Sequence, residues 1–172
     1  MNQLKAGYQG DEPVTAVVAI ASTAVRVIAR PLAGHSMSRT KFTFGILIVV
    51  QAAHSVEEFV GHLWESFPPA AFLTGLVSSN GEAGFLVINA AMIVFGIWGF
   101  QWPVRRGWPS AAPLIWSWVV IEVINGLGHP VWTFLQGRYT PGVATAPILL
   151  VLSIYLAVQL RRKPQLLASA GS

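Results

Sequence analysis

Three acids, two histidines and an amide stand inside stretches that are otherwise apolar: His54, Glu57 and Glu58 in one, Glu122, Asn125 and His129 in another. Imidazoles and carboxylates at such spacings can hold a divalent metal, exchange protons as general acid and base, or conduct ions. Glu57, Glu58 and Glu122 are three of only seven acids in the chain. An acid at the centre of a membrane helix costs roughly 2.5–3.5 kcal/mol on insertion scales, and such residues normally face the bundle interior or a wet cavity. Interhelical hydrogen bonds, at about 0.6 kcal/mol each in a membrane, do not offset three buried acids unless these are protonated. A functional role is therefore the expectation for the set, with a structural polar network as the alternative.

The spacing places these groups together. At about 100° per residue, His54 lies between Glu57 and Glu58 on the helical wheel, and Gln51, His62 and Glu65 fall on the same side. Glu122, Asn125 and His129 are separated by three, four and seven residues, which puts them on one face. Gly126 beside that face allows close helix contact.

The elements that must carry these faces follow from composition. The chain has 172 residues, 53% hydrophobic and 10% charged, with a mean hydropathy of +0.57. Soluble domains carry about 25% charged residues, so an ordinary water-soluble domain is excluded. Four stretches approach the roughly 20 apolar residues needed to cross a bilayer: Phe42 to Trp64, Phe85 to Trp102, Ala111 to Phe134 and Val143 to Leu160. Between them lie turn formers, including Phe67-Pro68-Pro69, Ser78-Ser79-Asn80-Gly81, Gly107-Trp108-Pro109 and Pro141-Gly142. The expected fold is all-α, a four-transmembrane-helix bundle over residues 42–163. Before it, residues 1–41 form a leader, read as an interfacial helix around Val14 to Val25 or a disordered arm. Residues 164–172 form a disordered tail.

Eleven Lys and Arg against seven acids give a net charge of +4. The bases flank the apolar segments, so the lipid bilayer is the expected partner and nucleic acid is not. Arg26, Arg30, Arg39 and Lys41 precede the first span, Arg105 and Arg106 follow the second, and Arg161, Arg162 and Lys163 follow the last. That bias puts both termini in the cytoplasm. It also runs the first and third spans in the same direction, with His54–Glu58 and Glu122–His129 at matching depths by a rise of about 1.5 Å per residue. The absence of cysteine leaves His, carboxylate and amide groups as the available metal ligands.

Glu-x-x-His pairs on facing helices hold carboxylate-bridged metals in some four-helix proteins. Here the His precedes the carboxylate in the first span, and the other two spans offer only Asn89, Thr145, Ser153 and Tyr155. A mononuclear or tight dinuclear site finished by water is as consistent as a di-iron centre. His with Glu favours Zn, Fe or Mn over hard cations.

His54-x-x-Glu57-Glu58 resembles the motif of the HXXEE family of small bacterial and archaeal membrane proteins, and Asn125-x-x-x-His129 resembles its second motif. The segment Arg138-Tyr139-Thr140-Pro141-Gly142-Val143-Ala144-Thr145 is similar to the one that follows in those proteins. The resemblance covers roughly Phe42 to Leu160. It implies a prokaryotic cytoplasmic membrane protein and an enzyme site at these motifs, and it leaves the reaction open.

The expected function is a metal-dependent membrane enzyme acting on an apolar, lipid- or isoprenoid-like substrate, by hydrolysis with zinc or oxidation with iron. His54, Glu58, Glu122 and His129 would be ligands, Glu57 a general base or supporting carboxylate, and Asn125 an orienting group. The catalytic set is thus His54, Glu57, Glu58, Asn125 and His129. The alternative is metal-free acid/base catalysis of the kind a sterol or terpene isomerase or cyclase uses. A transporter, proton relay or scaffold is weaker, because no inverted repeat or matched pair of broken helices is visible.

Overall fold

A computed structural model of the chain describes residues 38–162 and five helical positions before them, at 15, 19, 22, 23 and 26. The expected leader, apart from those positions and residues 38–41, lies outside the described residues, as do the tail and His35. Among the described residues every regular element is a helix.

Ser38 caps the first helix, α1 (Arg39–Val60), by accepting from Lys41 N–H. The helix stops at Gly61 and His62; His62 takes a left-handed φ of 54°. One turn, α2 (Leu63–Ser66), follows, and then α3 (Pro68–Val77). The Phe67-Pro68-Pro69 run, read from sequence as a loop, starts this helix: extended Phe67 precedes it and proline stands in its first turn, where the missing N–H has no intrahelical partner to lose. Asn80 caps α4 (Gly81–Gly99) by accepting from Ala83 N–H at 3.0 Å. This helix continues through a π-helical turn, Phe100–Val104, around Pro103. The longest helix, α5 (Ala111–Gln136), ends at Gly137 with φ 61°, and α6 (Ala146–Arg162) closes the bundle.

Three stretches are long and apolar enough to cross a membrane: Arg39–Val60, Gly81–Val104 and Ala111–Gln136. The fourth expected span is shorter than its sequence suggests. Residues 140–145 turn rather than continue a helix, leaving α6 with 17 residues, about 26 Å at 1.5 Å per residue against a hydrocarbon thickness of about 30 Å. Val87, Val94, Val120, Ile124, Leu127, Val131, Val151 and Ile154 are each more than half exposed, the pattern of a surface in contact with lipid rather than water.

One end of the bundle is basic. Lys41 Nζ donates to the Arg105 carbonyl at 2.8 Å, and the Arg161 guanidinium lies 5.9 Å from the Trp116 ring centre. Phe44, Leu47, Ile48, Phe100, Ile115, Trp118 and Leu156 fill the core toward this end. A smaller cluster of Phe59, Leu63, Trp64 and Phe85 closes the other end. α1 packs against α4 and α6, and α5 against α6. A Cβ on Gly126 would strike Leu150 and the Ala146 carbonyl, so this glycine lets α5 and α6 approach. Between α1 and α5 long side chains bridge the bundle, and these are the ones that carry the chemistry.

Candidate metal centre

His54 and Glu58, one turn apart on α1, meet His129 from α5. Glu58 Oε1 lies 3.3 Å from His54 Nε2 and 3.1 Å from His129 Nε2. The imidazoles stand edge to face, at 89° with centroids 4.8 Å apart. His54 is fully buried, His129 6% exposed and Glu58 8% exposed. Among the described residues these three form the group whose ligand atoms lie within 4.8 Å of one another.

The far side of each ring decides what the near side can do. Pro141 O lies 2.8 Å from His129 Nδ1; a carbonyl only accepts, so Nδ1 carries the hydrogen. His54 Nδ1 lies 2.7 Å from Thr145 Oγ1, whose single hydrogen goes to Glu57 Oε2 at 2.6 Å. His54 Nδ1 is therefore also a donor. In the neutral rings both Nε2 atoms then present lone pairs toward the Glu58 carboxylate, and His54 Nε2 is enclosed with no hydrogen-bond partner. Donation of the remote N–H to a carbonyl or hydroxyl is the arrangement that orients metal-ligating histidines.

Glu57 does not join the group. Its carboxylate accepts from Tyr139 O–H (2.6 Å), Ala144 N–H (2.9 Å), Thr145 N–H (3.0 Å) and Thr145 O–H (2.6 Å). It clamps the 137–145 segment onto α1, and through Thr145 it orients His54. Four donors occupy the oxygens that a general base would need free, so Glu57 is a positioning residue. The Glu57 carboxylate beside the Tyr139 hydroxyl pushes the phenol up to about 12, burial adding to the shift. Because the folded value is raised, this contact stabilises the fold below the ordinary tyrosine range near 10 and is lost as pH climbs through about 12. Ultraviolet titration should show one of the three tyrosines ionising late, and Glu57→Gln should lower its titration toward the ordinary range, leaving the smaller shift from burial.

Glu122, fully buried, also stays apart from the three. Asn125 Nδ2 donates to its Oε2 at 3.3 Å. The Gln51 carboxamide lies between Glu122 and Ser55. With its nitrogen toward the acid, it donates to both Glu122 oxygens at 3.0 and 3.1 Å. Turned the other way, it donates to Ser55 Oγ at 3.3 Å, leaving Oε1 toward Glu122. Ser55 O–H donates to Asn89 Oδ1 at 2.7 Å, and Asn89 Nδ2 to Phe85 O at 3.1 Å. This polar track lies one turn of α1 closer to the basic end than the His–Glu group. Sequence spacing put both sets on one face; a side chain's reach separates them. His62 and Glu65 pair at 3.6 Å with side chains 60% and 68% exposed, out in the solvated rim.

The wheel does not reveal Pro141, Gly142 and Thr145 as supports of the two imidazoles, because they lie beyond α5 in a turn. The signal that marks them in sequence is the resemblance of the Arg138–Thr145 segment to the one in HXXEE proteins; by residue type alone Thr145 is a polar residue in the last expected span and Pro141-Gly142 an ordinary turn. Thr145→Val keeps the shape and removes the hydroxyl that orients His54. It should weaken metal binding by about 10–100-fold, the usual penalty for losing such a partner, with circular dichroism unchanged and metal titration as the readout.

No curated protein and no solved structure matches the chain. A sequence family described as "Protein of unknown function with HXXEE motif" matches residues 45–156, which contain α1 from Gly45, all of α2 to α5 and most of α6. With His54-x-x-Glu57-Glu58 inside that match, and with its His54 and Glu58 meeting His129 at one buried centre, the chain belongs to the HXXEE family.

Proposed function

We propose that this protein is a metal-dependent integral membrane enzyme in which His54, Glu58 and His129 hold a divalent cation, and that it acts on an apolar, lipid- or isoprenoid-like substrate. One observation carries the reading: two imidazoles, each with its Nδ1 hydrogen engaged elsewhere, aim Nε2 at a single carboxylate oxygen at 3.3 and 3.1 Å in the buried interior. A cation there satisfies both lone pairs and the carboxylate together. Two histidines and one carboxylate suit catalytic zinc, which leaves a position open, and equally suit non-haem iron. When bound, zinc supplies Lewis acidity for hydrolysis, iron supplies redox chemistry for oxidation, and manganese is a further candidate.

The protein's residues do the rest. Pro141 O and Thr145 Oγ1 hold the rings in one tautomer, and Glu57 holds Thr145. Gln51 and Asn125 hold Glu122 near the centre as a buried acid outside the ligand set. Phe67 packs against His129 and Trp132, with ring centres 6.2 and 5.3 Å apart, so the wall is apolar where α3 begins. Exposed Phe72, Leu73 and Leu76 on that helix suit a lipid-facing element, and an apolar substrate entering sideways from the bilayer fits this wall. In this reading α6 makes the fourth crossing, the bilayer thinning around its 17 residues, and the basic end with both termini faces the cytoplasm of a prokaryotic cell.

Elemental analysis of protein purified from membranes tests the reading. About one zinc, iron or manganese per chain, lost to chelator together with activity on extracted lipids, is the expected result. Metal-free protein that fails to take up any of the three, or stays active under chelation, overturns it. The second reading, metal-free acid/base catalysis on a sterol- or terpene-like substrate, draws on Glu122, whose hydrogen-bonding neighbours among the described residues are the amides of Asn125 and Gln51. Solvent deuterium appearing in product despite chelator would favour it.

A further inference from the structure

A cation held by His54, Glu58 and His129 has to reach side chains that are almost wholly buried. The hydrocarbon around the bundle is no route, because a bare charge is strongly disfavoured there. The basic end is no route either. Phe44, Leu47, Phe100 and Trp118 fill it, and Arg39, Lys41, Arg105, Arg106, Arg161 and Arg162 repel a cation. The opposite end carries Glu57, Glu65 and Glu82 against Arg138, and there residues 137–145 lie over the centre. We propose that this strap is the gate through which the metal ion enters and leaves, on the side of the membrane opposite the basic end, and that the hydrogen bond from Tyr139 to Glu57 is its latch. The proposal rests on the metal reading of the centre.

The strap sits on the ligands themselves. A Cβ on Gly142 would come within 2.9 Å of His54 Cε1 and strike the His129 ring as well. What holds the strap down is polar. Glu57 accepts from Tyr139, Ala144 and Thr145, Pro141 O and Thr145 Oγ1 meet the two Nδ1 atoms, and Thr140 meets Thr133 hydroxyl to hydroxyl. Among the described residues no strap side chain belongs to an apolar core cluster. A segment rich in hydrogen bonds and poor in apolar burial opens locally while the helices beside it stay folded.

The strap also has a pivot and a weakest point. Gly137, at φ 61°, has nothing within 4 Å of an added Cβ, so the chain can turn there without displacing a neighbour. Tyr139 is 62% exposed, so water can replace its O–H at Glu57 first, and the buried contacts follow. A gate acts on rates. Entry and exit pass through the same open state, so breaking the latch speeds both by one factor and leaves affinity alone, whereas losing a group that supports the bound ion lowers affinity.

Zinc uptake by the metal-free full chain in detergent, and zinc release to a chelator, test the proposal. Tyr139→Phe keeps the ring and loses the latch. Both rates should rise by about 2–10-fold, the weight of one net hydrogen bond, with the dissociation constant unchanged. The chain has no cysteine, so T133C/T140C can form one disulfide that pins the strap just past Gly137. Oxidised, it should exchange zinc more slowly than wild type, and a phosphine reductant should restore the rate. Amide hydrogen exchange of metal-free protein adds a readout independent of zinc: the Ala144 and Thr145 N–H groups should exchange by a local opening that Tyr139→Phe accelerates, while α5 keeps its protection. In sealed vesicles EDTA, which does not cross a bilayer, should strip zinc from the strap side alone. Faster release with weakened affinity and unchanged uptake would make Tyr139 a support of the bound ion and overturn the gate. So would stripping from the basic side, or exchange of Ala144 and Thr145 only on global unfolding. Each of those results leaves the metal reading standing, whereas protein that takes up no zinc, iron or manganese fails that reading and the gate falls with it.

Discussion

Glu58→Gln is expected to weaken metal retention by more than about 100-fold while leaving the metal-free protein at least as stable as the wild type. Losing a mere supporting partner costs about 10–100-fold, and Glu58 supplies the only charged oxygen in the group. The amide is the same shape, and its NH₂ can donate toward the two Nε2 atoms that now face a carboxylate. The two readings of the site thus differ in sign. If the group were a buried imidazolium–carboxylate cluster working without metal, removing the carboxylate would break an ion pair, at about 3–5 kcal/mol. Unfolding of metal-free wild type and variant, beside a metal titration of each, separates the cases. A variant that loses stability and had no metal to lose would sink the metal assignment. His129→Ala should match the loss of metal, but it also leaves a hole against Phe67 and orphans Pro141 O, so Glu58→Gln is the cleaner probe.

Gly142→Ala should disable the centre without touching a ligand. Gly142 has φ +90°, where an L-residue carries backbone strain of about 1–3 kcal/mol. Its added Cβ would fall 2.5 Å from His129 Cε1 and 2.9 Å from His54 Cε1, against a further penalty of about 1–3 kcal/mol for overpacking. Both rings would have to move apart, and with them the two Nε2 atoms. The expected outcome is a fall in stability of about 2–6 kcal/mol, the sum of the two ranges, with loss of metal binding. Gly137→Ala separates the causes: φ there is +61° but nothing lies within 4 Å of the added atom. It should show the backbone part alone and bind metal normally. If both alanines behave alike, the contact of Gly142 with the imidazoles is not what holds the centre.

The apolar runs and the basic residues beside them locate most of the fold. The Arg39–Val60, Gly81–Val104 and Ala111–Gln136 spans follow the expected stretches with shifted ends, because a crossing helix is written in about 20 successive residues. Pro68–Val77 is misread because proline marks both a turn and a helix start, and only neighbouring packing separates them; in Pro68-Pro69 the helix wins. The Pro141-Gly142 turn is where the sequence put it, but it runs on to Thr145, so the last helix begins at Ala146 rather than Val143, with Glu57 taking the N–H groups of Ala144 and Thr145.

Sequence by itself determined that polar side chains of α1 and α5 share faces and a depth, since a 3.6-residue period and a 1.5 Å rise are properties of any helix. It therefore sufficed to bring His54, Glu58 and His129 forward within one set that also held Glu57, Glu122 and Asn125. Which acid enters the centre, and which only supports it, was decided by tertiary structure. Glu57 and Glu58 are adjacent in sequence and of one chemical type, yet one is turned to the 137–145 segment and saturated by four donors, the other to two imidazoles. Glu122 is intercepted by Gln51 and Asn125 a turn away. Hydrogen-bond reach is about 3 Å, finer than any periodicity resolves, and it is set by the loop that returns over the bundle.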